Sequence, residues 1–67
     1  MEGFTSIDDR FMNHIGEIDE TREFLEFLYK DPKIATPFNK PVISVLITAC
    51  DYLSTNLEIL RAKTIKV

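Results

Sequence analysis

Cysteine, glycine, tryptophan and positive charge are all scarce in this sequence. Its 67 residues include one Cys, two Gly, no Trp, and eight Lys plus Arg against eleven Asp plus Glu, for a formal net charge of -3. One cysteine cannot form an internal disulfide, and a secreted domain this small usually carries several. A reducing, cytoplasmic setting is the expectation. Nucleic-acid binding draws most of its affinity from phosphate neutralisation, which needs a cationic surface. An acidic chain is therefore not expected to have a nucleic-acid partner. One His and one Cys exclude ordinary zinc spacing, and two isolated glycines make no phosphate-cradling loop. The longest apolar run, near residues 42–50, is broken by Ser44 and Thr48. A membrane span needs roughly 20 apolar residues, so no membrane is expected. The opening Met-Glu-Gly-Phe-Thr-Ser has neither the basic nor the apolar region of a signal peptide. No cofactor is implied.

What remains is apolar. Hydrophobic residues make up 45% of the chain, too many for a disordered tail. Yet a domain this small buries only about 60% of its unfolded surface. There is little material for a core, a pocket and the shell behind a pocket, so an enzyme is not expected.

Residues 6–30 carry a helical pattern. Phe4, Ile7, Phe11, Ile18, Leu25 and Leu28 are spaced by threes, fours and sevens, with His14 and Thr21 in the same stripe. Ser6 is a good N-cap, and Asp9 three residues on resembles a capping box. Asp8 and Asp9 suit the positive end of the helix dipole and Lys30 the negative end. Gly16 is the weak point, where one long helix could kink.

Pro32, Pro37 and Pro41 cluster within residues 31–40 and just beyond, which no single helix crosses. This stretch is the connection. Ile34 and Phe38 are expected to fold back over the end of the core. A second helix, about 41–64, starts near Asn39 as N-cap, with Pro41 in its first turn. Ile43, Leu46, Cys50, Leu53, Leu57 and Leu60 form a heptad seam. A second stripe, Val42, Val45, Ala49, Tyr52 and Ile59, lies beside it. Val42, Ile43, Val45 and Ile47 are β-branched and favour strands. The run lacks period-two alternation, however, and no second strand-like segment is long enough to pair with it.

The pattern predicts an all-α antiparallel helical hairpin, one domain over residues 1–67. A lone hairpin is marginal in water, and small chains usually add metals, disulfides or oligomerisation. The two-sided second helix points to the third, a homodimer or higher oligomer. The simplest form is a four-helix bundle with that helix near the centre. Val45, Ala49, Tyr52 and Ile59 are the expected oligomer interface. Charge favours antiparallel pairing, since Asp8 and Asp9 would lie near Arg61, Lys63 and Lys66. Such exposed pairs contribute only about 0–1 kcal/mol each.

Few residues invite chemistry. His14 reads as a polar member of the core stripe, satisfied by Thr21 or a partner chain. Cys50 occupies a seam position and reads as a small buried apolar residue. The acids of helix one lack the Glu-x-x-His spacing of bundle metal sites. Met12 and Phe27 lie off the main stripe among acids and are candidates for docking a partner protein. Lys33 and Lys40 of one chain, brought near Arg61 and Lys63 of another, would form a small basic site. Two functions follow. The first is a non-enzymatic interaction module (regulator, inhibitor or adaptor) that self-associates and binds a partner protein through a helix face. The second is an oligomeric binder of a small anionic ligand at that basic site.

Overall fold

The computed structural model describes residues 6–65. Phe4 and Lys66, both used above, lie outside the described residues. Two helices, α1 (Ile7–Lys30) and α2 (Lys40–Ile65), pack together as a hairpin. No strand occurs among the described residues.

α1 begins as its sequence dictates. Ser6 is extended, and its hydroxyl accepts the Asp9 N–H at 3.1 Å. That satisfies one of the N–H groups a helix start leaves without a partner. The helix then runs unbroken through Gly16. A Cβ at Gly16 would meet nothing within 4 Å, so packing does not require glycine there. Asp31 ends α1 in an extended conformation, as the residue before a proline should.

The connection consists of two successive proline turns built alike. Asp31 precedes Pro32, and its carboxylate accepts the Lys33 N–H at 2.9 Å while its carbonyl accepts Ala35 N–H at 2.8 Å. Thr36 precedes Pro37, and its hydroxyl accepts the Asn39 N–H at 3.1 Å while its carbonyl accepts Lys40 N–H at 2.8 Å. In each, a short polar side chain caps a turn whose first residue is a proline with no N–H to satisfy. Thr36 is therefore the residue that starts the chain into α2. The Asn39 side chain, expected in that role, reaches back instead and donates to the Ile34 carbonyl at 2.8 Å. Ala35 is buried and Ile34 half-buried, but Phe38 is 87% exposed and does not cover the core.

The core is small: Ile15, Leu25, Ala35, Ile43 and Cys50 are buried, with Ile18, Leu28 and Ile47 packed against Leu25, Ile43 and Cys50. Its position corrects the expected seam. On α2 the side turned to α1 is Ile43, Ile47, Cys50, Ser54, Leu57 and Arg61, all buried or half-buried. Leu46, Leu53 and Leu60 are half exposed along one flank. On α1 the facing side is Asp8, Phe11, Ile15, Ile18, Arg22 and Leu25, while Ile7, His14 and Thr21 are exposed. Both helices keep one member of the predicted pair of positions per heptad and exchange the other for its neighbour.

Polar pairs across the hairpin accompany that rotation. Arg61 Nε lies 2.5 Å from Asp8 Oδ1. Arg22 Nε lies 2.5 Å from Asp51 Oδ1, and Nη2 donates to Oδ2 at 3.4 Å. The Ser54 hydroxyl donates to Asp19 at 3.2 Å. All three close the same side of the hairpin, and they form only if residues 8 and 22 face residues 61 and 51.

Candidate interaction surface

Closing one side opens the other. A groove of about 660 Å³ runs between the helices, lined on α1 by Ile7, Phe11, His14, Ile18 and Thr21 and on α2 by Cys50, Leu53 and Leu57. Arg10 and Glu17 stand at its rim. The α1 members belong to the predicted stripe, of which Phe11 and Ile18 are half-buried while Ile7, His14 and Thr21 are exposed. Leu46 and Leu60, one heptad either side of Leu53, extend the apolar surface along α2. The opposite side is polar, carrying Asp19, Arg22, Asp51 and Ser54 in the pairs described above.

His14 is no core residue. Its side chain is largely exposed, with Nδ1 3.5 Å from Glu17 Oε1, a pair that is ionic only when the imidazole is protonated. The Thr21 hydroxyl donates to the Glu17 carbonyl at 3.0 Å and does not partner His14. Cys50 is buried at the groove floor as a free thiol. No group of three His, Cys, Asp or Glu among the described residues could hold a metal ion.

Val45, Tyr52 and Ile59 are exposed and lie on the edge of α2 directed away from α1, with Ala49 between that edge and the groove flank. Met12 and Phe27 are exposed on α1, Phe27 at 63%. Lys33 and Lys40 sit at the connection end, Lys40 over the Tyr29 ring at 5.4 Å from its centroid. Arg61 and Lys63 belong to the other end. One chain does not bring the four cations together, and Arg61 is already held by Asp8.

Those pairs raise both arginine pKa values above the ordinary one. For Arg22 the hydrogen bond to Asp51 acts most, opposed by desolvation and helped by the charges of Asp51, Glu26 and Asp19. For Arg61 the hydrogen bond and charge of Asp8 dominate. Both shifts favour the charged guanidinium.

By length and composition, residues 40–64 of α2 are apolar enough to cross a membrane; the mostly buried core helix of a soluble protein passes the same test, and here 11% of the apolar stretch is buried in the hairpin. No protein-family model matches the chain, and comparison with curated proteins and with solved structures finds no similar protein.

Proposed function

We propose that this chain is a non-enzymatic interaction module of the cytoplasm, acting by self-association and by docking a partner protein on a helix face. One observation carries the reading. Among the described residues thirteen large hydrophobic side chains are exposed, seven of them in α2, against five buried hydrophobic residues. Single apolar residues on a surface need no explanation, but a contiguous apolar face of this extent marks an interaction site. The groove flank supplies the self-associating surface, and the outer edge of α2 (Val45, Ala49, Tyr52, Ile59) is the competing one. Met12 and Phe27, on the other side of α1, supply a separate docking spot.

Sedimentation across a concentration series tests the first half. A mass above that of one 7.8 kDa chain supports it, and one chain at every concentration overturns it. Affinity capture with the Met12→Ala, Phe27→Ala double variant tests the second. A partner retained by the natural chain should be lost from the variant. Equal capture by both overturns the assignment of those two residues.

A further inference from the structure

We infer that the occupant of the groove face is a second copy of this chain, stacked face to face into a closed four-helix bundle. This rests on the self-association proposed above and specifies its surface. The hairpin measures 48 × 25 × 12 Å, so its thin dimension is a single layer of helices. Domains are built from at least two packed layers around a core. Its radius of gyration is 15.5 Å, where a compact chain of this length is expected near about 11 Å. It exposes 5448 Å², about 1,000 Å² more than the roughly 4,400 Å² expected of a compact monomer of its mass. A standard interface buries about 800 Å² per partner. One additional layer on one face therefore covers the excess.

Of the two broad faces, the groove side carries the larger apolar surface among the described residues. Ile7, Phe11 and Ile18 oppose Leu53 and Leu57 there, whereas the other broad face holds the Arg22–Asp51 and Asp19–Ser54 pairs. A second copy offers the same patch, which a two-fold interface requires. Stacking adds depth where the hairpin is thin. Contact through the edge residues Val45, Tyr52 and Ile59 would only widen the slab and leave the groove open.

Charge selects the orientation. α1 holds seven acids and three bases, net -4, and α2 holds two acids and three bases, net +1. A two-fold axis along the helices lays α1 of each copy over α2 of the other and brings both connections to one end. An axis across the helices would lay -4 over -4.

Three measurements decide this. The natural chain should sediment at twice its 7.8 kDa mass. Leu53→Asp puts an unpaired charge in the stacked face and should weaken the dimer by roughly 100-fold or more. Tyr52→Asp, on the edge, should leave the dimer intact. If Tyr52→Asp dissociates the dimer as strongly as Leu53→Asp, the face assignment is wrong although self-association stands. A natural chain that is monomeric throughout sinks both, and a larger assembly sinks the closed bundle. Spin labels at Phe38→Cys in a Cys50→Ala background then read the orientation. The labels should lie close together at one end, and a separation approaching the 48 Å length overturns the parallel axis.

Discussion

Arg61 and Asp8 stand 53 residues apart in sequence, and the Arg61 Nε lies 2.5 Å from Asp8 Oδ1. The pair ties the last turns of α2 to the first turn of α1, at the end of the hairpin that has no covalent connection. With Arg22–Asp51 and Asp19–Ser54, it lies along the shut side of the hairpin.

Arg61→Ala should lower the unfolding midpoint by less than any core truncation, because the pair is half exposed. The loss should shrink as salt rises, since ions screen such pairs. The pH dependence has a definite sign. A base whose folded pKa is raised contributes fully below its unfolded value and loses that contribution as pH climbs through the folded one. For Arg61 that window lies far above neutrality, so the natural chain should keep the pair from pH 7 to 10. In Arg61→Lys the same contribution should fade as pH rises through and above the unfolded lysine value of about 10.4. Thermal melts of both chains at several pH values check this. Equal alkaline losses would show that the pair is unimportant.

Ile43 is the most buried residue of α2. Ile43→Ala should cost about 2–4 kcal/mol in urea unfolding at any protein concentration. Leu46→Ala, on the half-exposed flank, should cost little at high dilution and more where the chain associates. Costs that are equal and independent of concentration would place both positions inside the hairpin core.

Gly16 does not interrupt α1, and a Cβ added there would meet nothing within 4 Å. Gly16→Ala should stabilise the chain by about 0.5–1 kcal/mol through helix propensity alone. A destabilised variant would reveal a close neighbour at this exposed position, such as a second chain.

Thr36 and Asn39 can be told apart as caps. Thr36→Ala should cost about 1 kcal/mol, since its hydroxyl accepts the Asn39 N–H at 3.1 Å. Asn39→Ala removes only the bond back to the Ile34 carbonyl and should cost less. The reverse order in thermal melts would return the capping role to Asn39.

α2 meets the length and composition of a membrane span, yet Asp51 in its middle is ion-paired to Arg22 of the acidic α1. A charge in lipid is costly unless paired, and α1 has no apolar length of its own to follow it there. The chain should stay in the supernatant when neutral phosphatidylcholine vesicles are pelleted. Quantitative pelleting with them would overturn a water-soluble bundle.

Local chemistry alone made much of this molecule legible. Ser6 as a cap, Asp31 before Pro32 as a stop, and two apolar periods of three and four dictate two helices and a turn between them. These depend on residues within a few positions of each other, so sequence suffices to read them. Which stripe turns inward is a different matter. The apolar arc of α2 is wide enough that 43/46/50/53 and 43/47/50/54 are both acceptable seams, and helical period cannot choose between neighbours on one arc. The observed choice goes with contacts between groups distant in sequence, Leu25 packed with Ile43 and Cys50, Asp8 paired with Arg61 and Arg22 with Asp51, which form only when the hairpin closes. The same closure exposed His14 and Leu53, and it left Phe38 outside the core that Ala35 entered.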